Sequence, residues 1–182
     1  MPTGYQIYNQ SECYFLTLQV VDWVDVFTRK EYVDIILNSF NYGRKHKVLI
    51  LWSYVIMSNH VHMIAQAKDK NLSDILRDFK RHTATQILKA IDSNKESRRY
   101  WMLKRFEFMA KRHKRNSKHQ FWKHQNHAIQ IDSDRLLRQK MAYIHLNPVR
   151  AGFVDSAEHW MYSSQRNYAN LDALIEIDMM DI

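Results

Sequence analysis

The chain has 182 residues, 46% of them hydrophobic, with Gly 3 and Pro 2, which is enough apolar material for one sizeable core and too few breakers for a flexible linker. Lys+Arg 27 against Asp+Glu 19 gives a net charge of +8, a balance that favours a polyanionic partner. The lone Cys13 excludes an internal disulfide, and the sequence has neither a signal-like N-terminus nor an apolar span of membrane length, so it reads as one soluble cytoplasmic domain with no membrane partner.

In chain order, residues 1–12 are polar and read as a fraying terminus. Residues 13–21 read as a first strand, apolar enough to be central. Residues 22–27 form a loop in which Trp23 and Phe27 are expected to pack against something. Thr28 with Glu31 has capping-box spacing and opens a helix that shares Tyr32, Ile35, Ile36, Ser39 and Phe40 on one face. Gly43, followed by Arg44 and Lys45, reads as its end.

Residues 48–57 are rich in β-branched and aromatic side chains and predict a buried central strand; Ser58 and Asn59 supply turn chemistry. The chain then returns as a hairpin through His60 and His62. Successive strand residues point to opposite faces, so these two imidazoles project together while Val61 and Met63 face the other way. Two nitrogens facing one point form a candidate metal site, and the plain alternative is a pair of histidines tolerating a half-buried face.

Asn71 can cap a second helix running to about residue 92, with Leu72, Ile75, Leu76, Phe79, Ile87 and Ile91 inward and Arg77, Lys80, Arg81 and Thr85 on another side. The most basic stretch follows: Lys111, Arg112, Lys114, Arg115 and Lys118, preceded by Arg98, Arg99, Lys104 and Arg105 and interleaved with Tyr100, Trp101, Phe106 and Phe108. Cations so dense supply phosphate affinity through counterion release, while the helical spacing of Trp101, Arg105 and Phe108 predicts a helix that buries its rings. His113, His119, His124 and His127 are irregularly spaced and lack a cysteine pair, which argues against structural zinc. A fourth strand is expected within residues 121–130, anchored by Phe121 and Trp122.

Asp132 or Ser133 caps a last helix with Leu137, Met141 and Ile144 at helical spacing. Gln139, Tyr143 and Asn147, four apart, share a different face. Pro148 disfavours helical geometry at Asn147 and should end the helix there, leaving a terminal carboxamide; a cap with no chemical role is the alternative for Asn147. His145 lies off that face and reads as structural or DNA-facing. The order of elements predicts an α+β domain of the ferredoxin-like or RRM-like kind, an antiparallel sheet with helices packed on one face, plus a C-terminal helix carrying Tyr143. One domain spans residues 1–182, with its core at about 13–168.

Met-Ser-Asn-His-Val-His-Met-Ile at 57–64, Leu-Ser-Asp-Ile-Leu-Arg-Asp-Phe-Lys-Arg at 72–81 and Tyr-Ile-His-Leu-Asn-Pro-Val-Arg-Ala-Gly at 143–152 occur in that order, followed by Trp-Met-Tyr-Ser-Ser at 160–164. Together they resemble the REP-associated tyrosine transposases, single-tyrosine enzymes of the HUH class, over residues 14–168. The resemblance implies the same core, His60 and His62 as metal ligands, Asn147 as the third ligand and Tyr143 as the nucleophile. It also implies single-stranded or hairpin DNA as partner, with Arg77, Lys80, Arg81, Lys111, Arg112, Lys114, Arg115 and Arg150 as candidate contacts.

Two imidazoles, an amide oxygen and open water positions suit Mg²⁺ or Mn²⁺ beside a phosphate. The implied activity is that of a DNA transposase: site-specific cleavage and rejoining of one strand through a 5′-phosphotyrosine. Related enzymes include dimers with shared sites and apparent monomers, and the reading leans to a homodimer. A DNA-binding protein of the same fold without transposition is the alternative. A metal hydrolase built on His60 and His62 is disfavoured, because no carboxylate cluster or general base accompanies them.

Overall fold

The computed structural model describes residues 6–69, 71–93, 96–112 and 118–180. Lys114 and Arg115 lie outside the described residues. In order, the elements are β1 (Tyr14–Gln19), α1 (Lys30–His46), β2 (Leu49–Ile56), β3 (His60–Ala67), α2 (Leu72–Ser93), α3 (Arg99–Arg112), β4 (Ile129–Gln130), α4 (Asp134–Arg150) and α5 (Gln165–Tyr168), with a short 3₁₀ turn at Val21–Trp23. The strands form one antiparallel sheet in the order β2-β3-β1-β4. This is the α+β arrangement expected. The β2–β3 hairpin closes through Ser58 and Asn59, with Met57 N–H donating to His60 O at 2.9 Å.

Strand alternation divides the core in two. Tyr14, Leu16 and Leu18 of β1 and Val61, Met63 and Ala65 of β3 pack with Tyr32, Ile36 and Phe40 of α1 and Leu76 and Phe79 of α2. Phe15, Val55 and Ile64 face the other way and meet Met141 and Ile144 of α4. Helices therefore cover both faces. The C-terminal helix takes the second face, and that is the face His60 and His62 share with Ile64.

Several boundaries depart from the sequence reading. Helix α1 has Arg29 at its N-cap with no side-chain cap, because Thr28 Oγ1 instead accepts from Arg98 Nη2 at 3.0 Å. Gly43 does not stop this helix. It lies inside it, so close to β2 that a Cβ would sit 3.0 Å from Leu49 Cδ2.

Helix α4 begins as expected, Ser133 Oγ accepting from Leu136 N–H at 3.4 Å, but runs through Pro148 to Arg150. Gly152 N–H donates to Val149 O at 2.9 Å and Phe153 N–H to Pro148 O at 2.9 Å, a Schellman closure around Gly152 at φ 72°. Proline forfeits one hydrogen bond, and the glycine terminus sets the end of the helix. Asn147 accordingly sits one turn inside it.

The fourth strand shrinks to Ile129–Gln130. Phe121 and Trp122 are buried anchors as expected, with Trp122 bridging Val20. Between anchor and strand the backbone turns toward Lys80, whose Nζ donates to Lys123 O at 2.6 Å, His124 O at 3.1 Å and Asn126 Oδ1 at 2.7 Å. Burial lowers the Lys80 pKa to about 8. Pairing with β1 continues irregularly through this loop, Lys123 N–H donating to Gln19 O at 2.8 Å and Thr17 N–H to Asn126 O at 2.8 Å.

Helix α3 buries Met102, Phe106 and Ala110, leaving Trp101 and Phe108 about half exposed, contrary to the expectation that these rings are internal. Packing also continues past residue 168. Ile175 and Ile177 are buried, and Asp178 covers the outer edge of β2 by donating N–H to Leu51 O at 2.9 Å and accepting from Leu51 N–H at 2.8 Å. No helix among the described residues is long and apolar enough to cross a membrane.

Candidate active site

His60 and His62 lie at the start of β3, immediately after the hairpin turn, with ring centroids 4.6 Å apart. Each is steered through Nδ1. His60 Nδ1 is hydrogen-bonded to Asn59 Oδ1 at 2.8 Å, while Asn59 Nδ2 donates to Asp25 Oδ1 at 3.0 Å, which also accepts from Ser58 Oγ at 2.6 Å. His62 Nδ1 is hydrogen-bonded to Thr17 Oγ1 at 2.9 Å, Thr17 being its direct cross-strand partner on β1. Both rings thus keep Nε2 for another partner.

Burial lowers the His60 pKa to about 4, and burial with the charges of His60 and Lys140 lowers that of His62 to about 3. Both imidazoles are neutral at pH 7, the state a metal ligand needs, and both carry the outer hydrogen bond that orients such ligands. Among the described residues no group of three or more His, Cys, Asp or Glu gathers. His60 and His62 could hold a divalent ion through their Nε2 atoms.

Tyr143 arrives from α4 on the same face. Its ring lies 5.2 Å from that of His62 and 5.8 Å from Phe15, both edge-on, and it stays 37% exposed. Met141 and Ile144 anchor the helix in the second core, so the phenol is displayed and not packed away. Lys140 Nζ and the Arg150 guanidinium lie 6.0 and 5.7 Å from the centre of its ring. Asn147 follows Tyr143 by one helical turn, which keeps the two on one side of α4. His145 turns inward instead. Its Nε2 is hydrogen-bonded to Ser164 Oγ at 2.9 Å and Ser53 Oγ at 3.2 Å, so it is structural.

The remaining basic candidates fall in different places. Arg77 and Arg81 sit on α2, which covers the opposite face of the sheet, and pair with Asp74 and Asp78. Lys80 is consumed by the loop that follows Trp122. Lys111 pairs with Glu107, and Arg112 lies 5.7 Å from the Phe108 ring centre on the open side of α3. Arg150 joins Tyr143.

Sequence reasoning missed Thr17, Asp25 and Lys140. Thr17 and Lys140 had detectable signals, Thr17 lying within the predicted first strand and Lys140 three residues before Tyr143 on the predicted helix. Asp25 is brought in only by the tertiary fold.

No family model and no curated protein matches this sequence. Among solved structures, a REP-associated tyrosine transposase bound to a REP hairpin is similar with a TM-score of 0.64 and 17% identity, covering 100% of this chain and 95% of the other. The chain has the fold of that tyrosine transposase from end to end.

Proposed function

We propose that this protein is a single-strand DNA endonuclease and strand transferase with Tyr143 as nucleophile. The observation that carries the reading is the meeting of a half-exposed phenol with two neutral, oriented imidazoles, Tyr143 lying 5.2 Å ring to ring from His62. The fold shared with a hairpin-bound tyrosine transposase supports the choice of hairpin-flanked DNA as substrate.

The Tyr143 oxygen attacks a backbone phosphorus, forming a P–O bond to tyrosine and breaking the bond to the 3′ oxygen. The phenol proton passes to solvent, and the departing 3′ oxygen takes up a proton to become a hydroxyl. A 5′-phosphotyrosine results, and a 3′-hydroxyl of the same or another strand can reverse the attack without ATP. A phenol is a weak nucleophile at neutral pH, so charge developing on the phosphate must be met by cations. His60, His62 and Asn147 would hold a divalent ion, Mg²⁺ or Mn²⁺, which would supply that neutralisation. Lys140 and Arg150 flank the phenol and hold the phosphate against it, and Phe15 fixes the ring.

A denaturing gel of the protein with labelled hairpin DNA and Mn²⁺ tests this. Wild type gives a covalent band. Tyr143→Phe and His60→Ala fold and bind but give none; a band from the Phe variant overturns the assignment. DNA binding without any wild-type adduct leaves a DNA-binding protein of the same fold.

A further inference from the structure

Beside His60 the structure holds three groups that nothing in the mechanism above employs. Trp23 is 57% exposed, yet its ring stands edge-on to His60 at 6.1 Å, with Lys123 Nζ 5.2 Å from its centre. Gln19 is the direct cross-strand partner of His60 on β1 and so shares its face. It is only 4% exposed, and its Nε2 has no hydrogen-bond partner. A buried amide donor without an acceptor is costly and needs an explanation.

Trp23 is also held rigidly. Asp22 and Trp23 both adopt positive φ, 55° and 54°, strained for non-glycine residues. The strain is locked from three sides: Asp22 pairs with Arg105 of α3, Trp23 O accepts from Asn59 Nδ2 at 3.4 Å, and Asp25 O accepts from Arg98 Nη1 at 2.8 Å. These contacts fix the backbone from which the exposed indole projects.

We infer that Trp23, Gln19 and Lys123 form a nucleotide subsite next to the scissile phosphate, in which an unpaired base stacks on Trp23 and the adjoining phosphate takes the Gln19 amide and the Lys123 ammonium. It rests on the function proposed above and names the nucleotide contact of that site. Stacking reads the flat face that every base has, so this subsite holds the strand in register and tolerates any base there. The orphan donor of Gln19 gains its acceptor only when the strand is bound.

The test uses full-length Tyr143→Phe protein, which binds without cleaving, and a fluorescent hairpin oligonucleotide with single-stranded flanks. An abasic site is stepped along the flanks one nucleotide at a time. One position weakens affinity about 5-fold or more, the low end for one stacked base. Trp23→Ala weakens binding of the intact oligonucleotide by the same factor and adds nothing further at that abasic position, whereas Trp23→Phe retains binding. Gln19→Met weakens intact and abasic oligonucleotides equally, as removal of a phosphate ligand must. Thermal melts confirm that each variant is folded. Unchanged affinity of Trp23→Ala for every oligonucleotide overturns the subsite and leaves the tyrosine chemistry standing if wild type still forms its adduct. Failure of the Tyr143→Phe protein to bind any oligonucleotide overturns both.

Discussion

Asp25 touches neither the phenol nor an imidazole, yet it sets the direction of one. Its carboxylate holds Ser58 Oγ and Asn59 Nδ2, and Asn59 Oδ1 in turn holds His60 Nδ1. Asp25→Ala frees Asn59 to rotate and His60 to follow, so the Mn²⁺ concentration giving half-maximal adduct formation should rise roughly 10- to 100-fold, with yield restored at saturating metal. A metal titration that superimposes on wild type would remove Asp25 from the site. Glu96 supports the same loop from beneath. Burial by itself would raise its pKa, but the backbone N–H of Arg98 and the charges of Arg98 and Arg29 outweigh this and hold it below the usual carboxylate value of 4.5. Its folded pKa is depressed, so its stabilisation is present above pH 4.5 and lost as pH falls through the folded value. Glu96→Gln should lower the melting temperature below that of wild type at pH 7. That gap should close in strong acid, and a gap independent of pH in thermal melts would show that the ion pairs do not set it.

At the scale of elements, the ends were harder to read than the middles. The β2–β3 hairpin was legible because period-two alternation and a Ser-Asn turn agree, and α4 was legible from Met141, Ile144 and a serine cap. Pro148 misled because proline marks only a preference; Gly152, four residues later, supplies the left-handed position that closes the helix. Gly152→Ala meets no atom within 4 Å, so its cost is backbone strain alone, about 1–2 kcal/mol, and should appear as a lowered melting temperature with the adduct still formed. A cost near zero would mean the Schellman closure does not hold the end of α4. Helix α3 misled differently, since helical spacing shows that Trp101 and Phe108 share a face without showing which face is buried. The candidate site divided the same way. The histidine pair and Tyr143 lie in local patterns, whereas Asp25 and Gln19 reach the site only through a loop crossing and a strand register.

Across the whole molecule, the position of the sheet decides what the net charge of +8 can do. The candidate site sits on the face covered by α4, while α2 covers the other and its Arg77 and Arg81 are tied to Asp74 and Asp78. Their charge is largely spent within the helix. Lys140 and Arg150 instead flank the phenol, and Arg112 lies open on α3. Two double variants of equal charge should therefore behave differently. Arg77→Gln with Arg81→Gln should leave the slope of log affinity against log salt nearly unchanged for a single-stranded oligonucleotide. Arg150→Gln with Arg112→Gln should flatten it by about 0.7 for each phosphate no longer neutralised. Exposed pairs such as Arg77 with Asp74 contribute little to stability, so the α2 variant should melt close to wild type and its binding can be read without correction. If the α2 variant flattens the slope as much as the other, DNA wraps the far face of the sheet. The strand would then have to reach Tyr143 around the β4 edge, past the loop that Lys80 holds.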